Sequence, residues 1–177
     1  EIAALKLELE EARMEASKDA LTGVANRKTF NNFIKDNAYR CDKNSQPLSI
    51  IMADIDYFKK INDRWGHQTG DQVICYVAGV LSREAPIGGL VARLGGEEFA
   101  IVAPNVASDK AHEIAERIRK QVEKKKLIRR NSKEDLGQIT ISNGVAQLET
   151  NEAVADLIER ADQALYSSKN DGRSEEH

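Results

Sequence analysis

Asp54, Glu97 and Glu98 are residues whose types and spacing could do chemistry. Asp54 ends an apolar run, Leu48 to Ala53, that reads as a buried strand, and it opens the cluster Asp54-Ile-Asp-Tyr-Phe-Lys59. Glu97 and Glu98 follow a glycine pair in Arg93-Leu-Gly-Gly-Glu-Glu-Phe99. A Gly-Gly pair at a strand-to-strand turn permits positive φ and leaves no Cβ to obstruct a ligand. Carboxylates at such a tip can hold a metal ion over the phosphates of a nucleotide. Two strands that each deliver an acid point to a two-carboxylate Mg²⁺ site for phosphoryl chemistry.

The elements that must position these acids can be followed along the chain. Ile2, Leu5, Leu9, Ala12 and Ala16 have the spacing of a heptad seam, and Leu7, Met14 and Leu21 repeat at sevens on a second face. Residues 1–20 therefore read as a coiled-coil helix, pairing in parallel with a second chain or folding back on its own domain. Asp19 to Arg27 breaks the pattern. A helix follows with Phe30, Phe33, Ile34 and Ala38 on one face. Strands are expected near 48–54, 90–94 and 98–103, with a short helical turn from Tyr57 to Asn62. Gly66 and Gly70 bracket a loop before a helix carrying Val73, Val77, Val80 and Leu81. Ala111, Ile114, Ala115, Ile118 and Val122 mark another amphipathic helix. Residues 124–136 read as an exposed basic and mixed-charge excursion. A last strand holds Ile139, Ile141 and Val145, and a final helix Val154, Leu157, Ile158, Ala161 and Leu165. The fold class is α/β, an α+β sandwich with helices packed on a mostly antiparallel central sheet.

Bulk properties exclude some functions. The chain has 177 residues, 41% hydrophobic and 31% charged, enough for one ordinary domain with an extension. A net charge of −3 gives no reason to expect a nucleic-acid partner or an anionic membrane surface. No run approaches the ~18 apolar residues of a membrane span. Cys41 and Cys75 are isolated, which suits a reduced, cytoplasmic setting and argues against zinc. The first residue is Glu rather than Met, so the chain reads as part of a larger protein, and Glu175-Glu176-His177 as a tag remnant.

Four motifs agree in order and spacing: Asp19-x-Leu-Thr-Gly-x-x-Asn-Arg27, Asp54-Ile-Asp-x-Phe-Lys-x-x-Asn-Asp63, Gly66-His-x-x-Gly-Asp71 and Gly95-Gly-Glu-Glu-Phe99. Together they resemble the GGDEF family, the diguanylate cyclases, over about residues 19–173. The resemblance implies a fold like the palm of nucleotidyl cyclases and polymerases. It also implies condensation of two GTP into cyclic di-GMP and two pyrophosphates by a homodimer. The division would be 1–20 linker helix, 21–174 cyclase domain and 175–177 tail, with an upstream sensor in the same polypeptide.

The resemblance also implies site residues. Asp54, Glu97 and the main-chain carbonyl of Ile55 match metal ligands, for Mg²⁺ or Mn²⁺. Glu98 would help deprotonate the 3′-hydroxyl or tune a second metal, or else pair with a neighbouring arginine. Arg93 would stabilise developing phosphate charge, or else be a surface strand residue. Phe58 and Lys59 open a turn whose N–H groups can meet the triphosphate. Lys169 and Arg173 match a second phosphate-binding pair. Asn62 and Asp71 match the base-reading pair: a carboxylate can accept both the N1–H and N2–H₂ donors of guanine, and adenine lacks that edge. His67 reads as structural. One departure stands out. Many relatives carry Arg-x-x-Asp, five residues before the Gly-Gly pair, as a product-binding inhibitory motif; here those positions are Pro86-Ile-Gly-Gly89. Arg117 matches a secondary contact of that site, and Asn143 stands where an aliphatic residue is usual. The rivals are a degenerate GTP-binding module, a cyclase making a mixed dinucleotide, and a coiled-coil interaction protein, which leaves the acids unexplained.

Overall fold

A computed structural model describes residues 1–128 and 135–173, without the side chains of Leu136 and Arg173. The elements run α1 (Ile2–Ala16), α2 (Arg27–Lys43), β1 (Leu48–Ile55), α3 (Phe58–Trp65), α4 (His67–Glu84), β2 (Leu90–Gly95), β3 (Glu98–Pro104), α5 (Ser108–Lys124), β4 (Lys126–Ile128), β5 (Asp135–Gln138), β6 (Ile141–Gln147) and α6 (Val154–Arg173). A sheet of order β2-β3-β1-β6 forms the centre, and every pairing in it is antiparallel.

Helices cover both faces of this sheet. Ile51, Ala53 and Ile55 of β1, with Phe99 and Ile101 of β3, join the core beneath α3, α4 and α5. Leu48, Ile50 and Met52 of β1, with Ala100 and Val102 of β3, point the other way, against α2 and α6. Burial on both sides explains why β1 reads as a continuous apolar run rather than an alternating one. α6 lies directly on β6: a Cβ at Gly144 would come within 2.2 Å of the Ala161 carbonyl oxygen. Beside it, Asn143 Nδ2 donates to the Ala115 carbonyl 2.9 Å away, so this polar residue ties β6 to α5.

Several expectations change. The excursion over 124–136 is in part ordered pairing: β4 and β5 form a separate two-stranded ribbon, and residues 129–134 lie outside the described residues. Gly66 and Gly70 do not bracket a loop. Only Gly66, at φ 90°, breaks the chain, and Gly70 lies within α4. The N-terminal helix does not fold back, because α1 buries none of its residues. It stops at Ala16, since the Asn26 side chain donates to the Ala16 carbonyl and Lys18 bridges to Ala25. Leu21 therefore lies in the following turn, and the second seam is reduced to Leu7 and Met14. The 175–177 tail lies outside the described residues.

Candidate active site

Strand register brings the acids together. Asp54 on β1 stands directly opposite Glu98 on β3. Cβ atoms of such a pair lie about 4.5–5.5 Å apart, and like charges placed so repel. The alternation that sends Leu48, Ile50 and Met52 toward α6 sends Asp54 the same way. Lys169 on α6 meets it there, its Nζ 2.6 Å from Asp54 Oδ1, with both side chains only 17% exposed. Arg173 is described only as the last position of α6.

Glu97 sits in the turn between β2 and β3. Gly96 before it has φ 47°, a left-handed value that favours glycine, and neither Gly95 nor Gly96 would bring a Cβ within 4 Å of anything. The glycine pair thus turns the hairpin and keeps its tip clear. The Glu97 carbonyl accepts the Ile55 N–H at 3.3 Å, which draws the turn against the end of β1. Glu98 is held above the ordinary carboxylate range. Burial is the first cause, and the charges of Asp162, Asp54 and Glu97 add to it, while Arg27 opposes them. Asp162 on α6 is raised likewise by burial, then by Glu159. Neither Asp162 nor Arg27 was singled out from the sequence. The spacing of Asp162 and Lys169, two helical turns apart on α6, was the available signal.

These residues fit a metal carried in with a triphosphate. Among the described residues no cluster of three or more His, Cys, Asp or Glu is arranged as a ready ligand cage. Mg²⁺ asks for less, one or two carboxylates completed by phosphate and water. Crowded carboxylates with an ammonium already drawn to Asp54 describe a place that favours a cation.

Arg93 is engaged within the fold. Its Nη1 pairs with Asp19 at 3.3 Å and its Nε donates to the Gly96 carbonyl at 2.9 Å. That is a structural clamp joining the Asp19–Arg27 turn to the hairpin. It is not an idle surface residue. Burial pushes the Asp19 carboxyl up, but hydrogen bonds from the Thr22 hydroxyl and amide and the Arg93 guanidinium outweigh it and hold the group below its usual value. A depressed carboxylate contributes stability above its unfolded pKa, and that contribution fades as pH falls through the folded one. Asp19→Asn is thus expected to cost about 1.5–3 kcal/mol at pH 7, the worth of a charged hydrogen-bonded group. In thermal melts at stepped pH, the gap to the parent should close below about pH 4. A constant gap would disprove the charge contribution.

The proposed nucleotide contacts are set by α3 and α4. Tyr57 precedes α3 in a left-handed conformation, φ 55°, and makes no side-chain cap, which leaves the first N–H groups of α3 without that partner. Phe58 is buried, so only its amide could meet a phosphate, while Lys59 is exposed. Asp56 is used internally, accepting from Thr140 Oγ1 at 2.8 Å and Ser142 Oγ at 2.7 Å. Asn62 has its Oδ1 buried with no hydrogen-bond partner among the described residues. A cavity of about 780 Å³ is lined by Trp65, His67, Asp71, Tyr76 and Lys125 among others. It shares Asp71 with the site but does not reach Asp54, Glu97 or Lys169. The acidic strand ends, rather than this hollow, define the centre.

The family description "Diguanylate cyclase, GGDEF domain" matches residues 16–175. The chain belongs to the GGDEF family. It is 40% identical over 165 residues to the diguanylate cyclase DgcM of Escherichia coli K12, covering 93% of this chain and 39% of that protein. Over 174 residues it is 38% identical to the diguanylate cyclase VdcA of Vibrio cholerae, covering 98% of this chain and 50% of that one. The chain thus spans half or less of these curated relatives. Among solved structures, the coiled coil and GGDEF domain of DgcB from Caulobacter crescentus, in complex with c-di-GMP, aligns with a TM-score of 0.94 at 42% identity, covering 97% and 90% of the two chains. The active GGEEF domain of a Vibrio cholerae diguanylate cyclase aligns at 0.77 with 35% identity, covering 84% and 93%. The GGDEF domain here carries the same Gly-Gly-Glu-Glu-Phe variant at 95–99.

Proposed function

We propose that this GGDEF domain is an active diguanylate cyclase. It condenses two GTP into cyclic di-GMP and two pyrophosphates across a homodimer, each chain holding one GTP. The observation that carries the reading is the register placing Asp54 opposite Glu98 with Glu97 at the adjoining turn. Each 3′-oxygen attacks the other nucleotide's α-phosphorus, the bond from that phosphorus to the bridging oxygen breaks, and pyrophosphate leaves. Asp54, Glu97 and the Ile55 carbonyl would hold Mg²⁺, or Mn²⁺, which supplies charge neutralisation at the α-phosphate when bound. Glu98, made more basic by its surroundings, is suited to take the 3′-hydroxyl proton. Lys169, Arg173, and the amides of Phe58 and Lys59 bind the triphosphate; Asn62 and Asp71 read guanine. The protein's share is positioning and electrostatics.

The location is cytoplasmic, where GTP is available; among the described residues no helix is long and apolar enough to cross a membrane. A sensor elsewhere in the polypeptide would act through α1. The test is the product mixture formed from GTP and Mg²⁺, resolved by chromatography. A cyclic dinucleotide of guanine alone with two pyrophosphates supports the reading. No product, or a mixed dinucleotide, overturns it.

Two further outcomes are expected. Asp71→Ala should shrink the preference for GTP over ATP by ~1–3 kcal/mol, the cost of an unpaired polar partner. Unchanged selectivity in competition kinetics would place base reading elsewhere. Product feedback through 86–89 should be absent. Pro86 to Gly89 offer no guanidinium or carboxylate, and Arg117 is engaged by Glu84 at 3.0 Å. Calorimetry with cyclic di-GMP on the active-site-blocked domain should show no submicromolar binding.

A further inference from the structure

Asp56 has the spacing of a second acid beside Asp54, but the fold turns it to another use. The β1–β6 ladder ends at Ile55 opposite Ile141. Just beyond it, the Asp56 N–H donates to the Thr140 carbonyl at 2.9 Å. Thr140 Oγ1 donates to Asp56 Oδ2 at 2.8 Å, and Ser142 Oγ to Asp56 Oδ1 at 2.7 Å. Each carboxylate oxygen thus takes one hydroxyl from the β6 side, and Ser142 is itself buried. Hydrogen bonds to an ionised acceptor are stronger than neutral ones. The next residue needs such a fastening. Tyr57 has φ 55° and ψ 32°, in the left-handed region. The other non-glycine residues at positive φ, among the described residues, are Ser45, Asn105 and Asn151. Short polar side chains visit that region readily; a bulky one there is an outlier. Such a conformation persists only where the surroundings over-determine it.

Tyr57 stands between groups given work in the proposed reaction. The Ile55 carbonyl comes before it, and the Phe58 and Lys59 amides come after it at the start of α3. The turn is held on both flanks: the Ile55 N–H reaches the Glu97 carbonyl at 3.3 Å on the hairpin side, and Asp56 reaches β6 on the other. We propose that Asp56 is a positioning residue that braces this turn on β6. It keeps Tyr57 left-handed, so that the Phe58 and Lys59 amides face the triphosphate. This rests on the reading that those amides bind the triphosphate. The brace works by hydrogen bonding rather than by charge. Asp56→Asn could still accept one hydroxyl at Oδ1 and donate to the other from Nδ2, because a hydroxyl both donates and accepts. Asp56→Ala offers neither bond. Without the brace, Tyr57 would relax toward negative φ and carry the first turn of α3 away from the phosphates.

The experiment measures two unreactive ligands on the full chain. One is 3′-deoxy-GTP with Mg²⁺, followed by calorimetry. The other is guanosine, which has the base without the phosphates, followed by ligand-observed NMR because its binding is weak. The parent should bind 3′-deoxy-GTP far more tightly than guanosine. Asp56→Ala should weaken 3′-deoxy-GTP about tenfold or more, the scale of one lost hydrogen bond to a charged group, and leave guanosine unaltered. Thr140→Val with Ser142→Ala should lower the same preference, and adding both to Asp56→Ala should change nothing more. Asp56→Asn should stay much closer to the parent than to Asp56→Ala. If the parent binds 3′-deoxy-GTP no better than guanosine, the triphosphate reading itself fails. If the parent discriminates and Asp56→Ala discriminates equally, the brace fails alone. Three other results overturn the proposal. Asp56→Asn as damaging as Asp56→Ala would make the charge the cause. An equal loss of guanosine would mean general damage. A further loss in the triple variant would mean that Asp56 acts other than through Thr140 and Ser142. Should Asp56→Ala not fold, Thr140→Val with Ser142→Ala decides by the same two ligands, and failure of both to fold overturns the proposal as well.

Discussion

Glu97→Gln is expected to reduce cyclic di-GMP formation by at least about 10²–10³-fold, or ~3–4 kcal/mol, the scale of losing one electrostatic stabiliser of a transition state. The variant keeps the shape and hydrogen-bonding reach of the side chain and removes its charge. The fold should be unaffected, because the structural contact here is made by the backbone: the Glu97 carbonyl, retained in Gln, accepts the Ile55 N–H. Two measurements separate charge from fold. Thermal melting of the metal-free variant should match the parent. The further rise in melting temperature on adding Mg²⁺ with 3′-deoxy-GTP should be lost or much reduced. Near-parental turnover would sink the assignment of Glu97 to the metal.

Disrupting α1 should make turnover depend steeply on protein concentration. Ile2, Leu5, Leu7, Leu9 and Met14 are between 51% and 73% exposed, so the apolar side chains of this helix are left uncovered by the described residues. Short helices of this kind need one. Each leucine buried in a seam contributes about 1.5–3 kcal/mol. Leu5→Glu with Leu9→Glu should therefore weaken the dimer by at least about 10²-fold. If, as proposed, two chains must each bring a GTP, initial rate should rise with the square of enzyme concentration in the variant and linearly in the parent. Strengthening the seam with Ala12→Leu and Ala16→Ile should fix activity at one level, high or low. Parental rates and linear dilution behaviour in the Glu variant would make α1 a passive tether.

The central sheet was legible because its strands obey simple rules. β1, β2 and β3 fall within one or two residues of the apolar runs and the Gly-Gly turn that announced them. That the acidic clusters lie on neighbouring strand ends was legible for the same reason, but not the register, which sets Asp54 opposite Glu98 and leaves Glu97 in the turn. The β4–β5 ribbon was not, because Lys126–Ile128 and Asp135–Gln138 carry charge where alternating apolar residues would signal a strand. Gly70 was misread as a loop residue because glycine usually punctuates, and only the packing of Asn62 explains one inside a helix. The Arg93 clamp was not legible because sequence shows the neighbour two residues on, Gly95, but not Asp19, which is 74 residues away in the chain.

That last contact has a mechanical meaning. Arg93 N–H donates to the Ala25 carbonyl, Ala25 N–H to Val91, and Asn26 N–H to Ser17, while the Arg93 side chain holds Asp19 and the Gly96 carbonyl. The segment that follows α1 is thereby tied to the strand that leads into the Gly-Gly turn. Each of these bonds would have to stretch or break for the joint to absorb a twist. Torque arriving along α1 would turn the whole catalytic unit as one piece, leaving the spacing of Asp54, Glu97 and Glu98 untouched. What such a twist can alter is the angle at which two units confront each other, so a signal would be written as orientation between subunits and read out only by a reaction that needs both.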